Sequence, residues 1–145
     1  MIRLTRDIED AVRTEGEMAY PHECCGLILG SQDDPDGTSR RAFRALPIDN
    51  SREGEARRRR FEIRPGDFVR AEREALAAGV EVIGIYHSHP DHPAVPSDYD
   101  LSHALPFYSY LIVSVEQGKA GEITSWRLAA DRGTFVPESV ETGGP

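Results

Sequence analysis

Seven residues separate His87-Ser88-His89 from Ser97, and two more separate Ser97 from Asp100. Within that short span the chain offers two imidazoles, a carboxylate and a hydroxyl. Two histidines and an aspartate form a ligand set for Zn²⁺, and three protein ligands leave one tetrahedral position open. An open position belongs to a catalytic ion rather than a structural one. The chemistry these residue types suggest is metal-assisted hydrolysis.

The surrounding sequence must bring the three groups together. Val80-Glu-Val-Ile-Gly-Ile-Tyr86 is apolar and β-branched and reads as a buried strand. On a strand, residues two apart share a face, so His87 and His89 can converge while Ser88 points away. Pro90, Pro93 and Pro96 then break regular structure and stiffen a loop. Ser97 is a good N-cap for a short helix over 98–103, which sets Asp100 in its first turn. Ser97-x-x-Asp100 alone is an ordinary capping pattern, and His-Ser-His alone can be a solvated loop. Their combination directly after a buried strand favours a metal site.

With these residues in view, the chain closely resembles the JAMM (MPN-plus) metalloprotease family. The signature of that family is His-x-His, seven residues, Ser, two residues, Asp, and all four positions match. The family also uses a glutamate just before an upstream apolar strand. Tyr20-Pro-His-Glu-Cys-Cys-Gly-Leu-Ile-Leu-Gly30 is similar to that element and makes Glu23 the matching residue. The likeness runs from the first helix to the strands after the motif. It implies that His87, His89 and Asp100 bind one Zn²⁺ per chain, with water as the fourth ligand at a pKa of about 7. It further implies that Glu23 is the general base and that Ser97 donates to the oxyanion. The implied fold is α/β (mixed α+β): an MPN-like, mostly antiparallel mixed sheet flanked by helices.

Family members cleave peptide or isopeptide bonds at the C-terminus of ubiquitin or ubiquitin-like proteins. This chain is compact and similar to the stand-alone prokaryotic members. The implied partner is a ubiquitin-like or sulfur-carrier (ThiS/MoaD-type) protein ending in Gly-Gly. Glycine lets substrate backbone pass close to an ion, and a sheet edge can bind such a tail by strand addition. Three other readings stay open: a zinc amidohydrolase for a small peptide-like metabolite, a non-catalytic MPN-type interaction module, and a thiol hydrolase using Cys25 with a histidine.

Composition sets the outer limits. The chain has 145 residues, and a formal charge of −8 argues against nonspecific binding to nucleic acid or anionic lipid. No apolar run approaches about 20 residues, so no transmembrane helix is expected. The N-terminus does not read as a signal peptide, and a cytoplasmic protein is expected. Adjacent Cys24 and Cys25 cannot build a disulfide framework, and Cys25 reads as a small buried hydrophobe.

The same sequence gives the order of elements. Thr5 can cap a helix carrying Ile8, Val12, Glu15 and Met18 on one stripe, ended by Pro21. Strands are expected over 25–29, 41–46 and 61–63, and a helix from Pro65 with Phe68, Ala71, Ala75 and Leu76 inward. Residues 108–115 and 122–128 read as a hairpin about a 117–121 turn, with a last strand near 134–136. One domain over 1–140 and a flexible tail over 141–145 are expected. Arg57–Arg60 reads as a solvated loop or a holder for an acidic partner. His92 and His103 read as solvent-exposed or as outer neighbours of the site, and His22 as a structural neighbour of Glu23, rather than as ligands.

Overall fold

The computed structural model describes residues 1–143. In chain order these form β1 (Ile2–Leu4), α1 (Arg6–Ala19), β2 (Cys25–Gln32), β3 (Arg40–Ile48), a short 3₁₀ turn (Gly54–Arg58) and α2 (Pro65–Ala77). There follow β4 (Glu81–Pro90), α3 (Asp98–Ser102), β5 (Ser109–Glu116), β6 (Lys119–Leu128), β7 (Phe135–Glu138) and β8 (Val140–Thr142). All eight strands join one sheet in the order β7-β6-β5-β4-β2-β3-β1-β8. The β4/β5, β1/β3 and β1/β8 pairs are parallel and the others antiparallel. A mixed, mostly antiparallel sheet flanked by helices is therefore what the chain builds.

Local signals set the helices. The Thr5 hydroxyl accepts the Ile8 N–H at 3.2 Å, and Asp7 and Glu9 occupy the first turn, where the helix dipole favours acids. Pro65 opens α2 in the position that needs no N–H. α1 lies close on the sheet because Gly16 has no side chain; a Cβ there would sit 3.0 Å from Val115.

The two faces of the sheet bury separate clusters. Ile28, Ile83, Tyr86, Leu111 and Val113 pack with Ile8 and Val12 of α1. Cys25, Leu27, Leu29, Val82, Ile85 and Tyr110 pack with Ala71 and Ala75 of α2. Simple alternation would put Val82 and Tyr86 on one face. It fails because the β2/β4 register steps from Ile28↔Gly84 to Leu29↔Val82, leaving Ile83 as an extra residue. This bulge re-phases the strand. Beyond it Ile85, His87 and His89 share the face that α2 covers.

Several expectations are corrected. Phe61-Glu62-Ile63 forms no strand, although Phe61 and Ile63 do pack against the α2-side core. Met18 and Leu76 are exposed at 82% and 80%, so the α1 and α2 stripes are narrower than their spacing suggests. The hairpin turn is the pair Gln117-Gly118, with φ of 50° and 82°, rather than a five-residue turn. The expected tail boundary at 141 falls inside β8, which pairs with β1. Thr142 also donates to the Glu9 carboxylate, and the Gly143 N–H donates to the Leu4 carbonyl at 3.0 Å. The last two positions of the expected tail, Gly144 and Pro145, lie outside the described residues.

Candidate metal centre

β4 delivers His87 and His89, and the turn through the prolines returns the chain to α3. There the Ser97 hydroxyl accepts the Asp100 N–H at 3.0 Å and Asp100 Oδ2 accepts the Ser97 N–H at 2.9 Å. This reciprocal cap fixes Asp100 with its carboxylate turned inward. His87 Nε2 and His89 Nε2 lie 3.1 Å apart, and Asp100 Oδ2 lies 3.2 and 3.1 Å from them. All three side chains are buried.

The donor set fits a divalent cation. His89 Nδ1 is 2.8 Å from the Pro93 carbonyl, which can only accept, so the proton sits on Nδ1 and Nε2 presents a lone pair. Asp100 Oδ2 presents lone pairs to the same point. Tetrahedral Zn²⁺ with bonds of about 2.0–2.1 Å needs ligand atoms about 3.3 Å apart, close to the triangle seen. Burial pushes the Asp100 carboxyl up, but the adjacent His87 and His89 side chains and the hydrogen bond from the Ser97 N–H outweigh it and hold the group well below the usual range. Burial also lowers the pKa of His87, against the opposing pull of Asp100. Both shifts favour the unprotonated forms that ligands require.

Glu23 reaches the same face by β-sheet register. Cys25 stands opposite His87, and the Ser88 N–H donates to the Cys24 carbonyl at 3.2 Å. Extended past the start of β2 at Cys25, the same register runs Glu23 towards His89. Its side chain is only 4% exposed across the residue, and Oε1 has no hydrogen-bond partner among the described residues. Burial, and then the Asp100 charge, raise its pKa to about 9. A buried carboxyl with one oxygen unpartnered among the described residues and a strongly raised pKa is a candidate functional group.

Ser97 is exposed, and because its oxygen accepts in the cap, its own proton remains free to donate outward. His92 and His103 are exposed and do not join the ligand group; His103 stacks on Tyr99 at 4.1 Å. His22 lines a broad cleft with Glu23, Asn50 and Arg57. Cys24 and Cys25 are buried, and burial raises both thiols, Cys24 to about 12. That makes neither a ready nucleophile.

Three residues of the 49–63 loop bear on the site and escaped the sequence reading. Asn50 Nδ2 donates to the carbonyls of Glu23 and Arg60, at 3.2 and 3.0 Å. Phe61 stacks on His87. Arg52 donates to the Tyr99 hydroxyl, and its guanidinium lies over that ring at 5.5 Å. Only the polar Asp49-Asn50-Ser51 run at a strand end hinted at a structured loop. Arg57–Arg60 is mostly exposed, but the Arg57 carbonyl accepts the Glu23 N–H at 2.6 Å.

This fold, with a His-His-Asp centre beside a buried glutamate, defines a class, and comparison places the chain in it. The family described as prokaryotic homologs of the JAB domain matches residues 5–129, and the chain belongs to that family. A desampylase from Haloferax volcanii is 31% identical over 122 residues, covering 83% of this chain and 80% of its own. A solution structure from Desulfitobacterium hafniense aligns with TM-score 0.85 and 28% identity, over all of this chain and 94% of the other. One from Salinibacter ruber gives 0.75 and 41%, over all of this chain and 93% of the other. A JAB1/MPN domain protein from Archaeoglobus fulgidus, at 20% identity and TM-score 0.56 over 97% of each chain, shares the fold. Among the described residues no helix is long and apolar enough to cross a membrane.

Proposed function

We propose that the protein is a zinc-dependent isopeptidase or peptidase acting after the C-terminal Gly-Gly of a ubiquitin-like or sulfur-carrier protein. The observation that carries this reading is the convergence of buried His87, His89 and Asp100, with the buried carboxyl of Glu23 close enough to feel the Asp100 charge. The relationship to a protein named desampylase supports the class of substrate. When bound, zinc lowers the pKa of the attacking water to about 7 and polarises the scissile carbonyl.

The chain's own residues do the rest. His87, His89 and Asp100 hold the ion, and Pro93 keeps His89 in the tautomer that can ligate. Glu23 accepts the proton of the attacking water and then gives it to the leaving amine. Burial of Glu23 limits exchange of that proton with bulk water. The Ser97 hydroxyl donates to the carbonyl oxygen as negative charge develops there.

The test is cleavage of a Gly-Gly-ended ubiquitin-like carrier fusion by purified protein of known zinc content. Cleavage after Gly-Gly that stops on chelation and returns with Zn²⁺ is expected. A zinc-loaded protein that leaves such fusions intact but hydrolyses short acyl-amino acids would move the substrate to small metabolites. A protein that binds no zinc would leave an interaction module. Ser97→Ala should cost about 10²-fold in kcat, as removal of one oxyanion donor does. The same change should lower stability by about 1 kcal/mol through the lost cap. A fall in melting temperature with an unchanged rate would reduce Ser97 to a cap.

A further inference from the structure

His87 and His89 are steadied in different ways. A ligating histidine is ordinarily oriented through its second ring nitrogen, as His89 is through Pro93 at 2.8 Å. His87 Nδ1 is buried and has no such partner among the described residues. What His87 has instead is Phe61, whose ring lies almost flat on the imidazole, with centroids 4.5 Å apart and planes at 24°. We infer that Phe61 is a positioning residue for His87, its ring face fixing the imidazole plane so that Nε2 aims at His89 Nε2 and Asp100 Oδ2. This rests on the reading of His87 as a metal ligand.

Phe61 is itself held on both sides. Asn50 Nδ2 donates to the Arg60 carbonyl at 3.0 Å, and Asn50 Oδ1 accepts the Glu62 N–H at 3.2 Å. The Ser51 N–H and hydroxyl both donate to the Glu62 carbonyl, at 3.0 and 2.9 Å. Arg60 lies over the Tyr99 ring at 4.8 Å, which ties the loop to the helix that carries Asp100. Asn50 also grips the Glu23 carbonyl at 3.2 Å, so one side chain links the loop to the glutamate and to the ring on His87.

A ring suits this flank better than a hydrogen-bonding partner. His87 and Asp100 border a cavity of about 170 Å³ whose apolar lining includes Phe61, Ile63, Phe68, Ile85 and Leu105. A polar group placed there would have to be desolvated. A flat ring instead limits tilt and rotation of the imidazole by contact alone. Leucine would fill similar space without presenting a plane, which separates positioning from mere packing.

The decisive comparison is Phe61→Leu against Phe61→Tyr, each measured for Zn²⁺ affinity by chelator competition and for the visible absorption of the Co²⁺ form. Phe61→Leu should bind Zn²⁺ about 10-fold more weakly, at the low end of what loss of an orienting partner costs, and should show an altered Co²⁺ spectrum. Phe61→Tyr should match the wild type in both. A Leu variant with wild-type affinity and spectrum, or a Tyr variant as impaired as the Leu variant, overturns the inference. A wild-type protein that binds no Zn²⁺ at all would instead defeat the proposed function, and this inference with it.

Discussion

Replacing Glu23 by Gln is expected to leave zinc in place and to lower kcat by about 10²–10⁴-fold, the range that a positioned general acid–base supplies. The amide has the shape of the carboxyl and keeps the same two acceptor or donor positions, but it cannot take up a proton. Glu23 is not one of the three converging ligands, so metal content should not change. Elemental analysis and single-turnover rates on the same preparation would show whether the two properties separate. Activity within about threefold of wild type would mean that another group moves the proton. A second measurement checks the electrostatics in the metal-free protein. The pKa of Glu23 is raised from 4.5 to about 9 by burial and by Asp100. The native state therefore holds a proton that the unfolded chain releases, and stability falls as pH rises through that window. The Gln variant has no proton to lose there. Its melting temperature should gain on the wild type between about pH 4.5 and pH 9, and parallel pH profiles would show that Glu23 is not desolvated.

The ligands were legible because each rests on a local rule. Two residues apart on a strand share a face, and Ser97-x-x-Asp100 caps a short helix, so three of the four elements of the centre could be read from spacing. The approach of Glu23 was not local. It follows from the β2/β4 register, which only the folded sheet fixes, and the family likeness supplied what spacing could not.

Phe61 shows the opposite failure. Its alternation with Glu62 and Ile63 was a true sign of one apolar face. The face packs on His87 and the α2-side core without any strand to pair with, so a correct period gave the wrong element. β8 was missed because it pairs with β1, at the other end of the chain, and three residues of parallel edge carry no pattern of their own. Met18 and Leu76 were placed inward by a helical period that cannot say how wide the covered stripe is. What position 83 does was hidden for a related reason: a bulge is one extra residue, and nothing in Val82-Ile83-Gly84 distinguishes it from a regular strand.

Asp100→Asn should abolish tight zinc binding and, with it, activity. The substitution is informative because it leaves the helix start intact. An asparagine side-chain oxygen can still accept the Ser97 N–H, now received at 2.9 Å, while the backbone N–H still meets the Ser97 hydroxyl. What disappears is the negative charge that balances the cation and the anionic lone pair that completes the triangle. Loss of an outer partner costs about 10–100-fold in metal affinity, and loss of a charged ligand should exceed that. Thermal unfolding gives a readout independent of turnover. Zinc at about 1,000 times its Kd should stabilise the wild type by about 4 kcal/mol, roughly 10 °C for a chain of this size. In Asp100→Asn the same zinc should give almost no shift. Equal stabilisation of both proteins would place the ion elsewhere, and the three buried groups would then be a hydrogen-bonded cluster with no cation to hold.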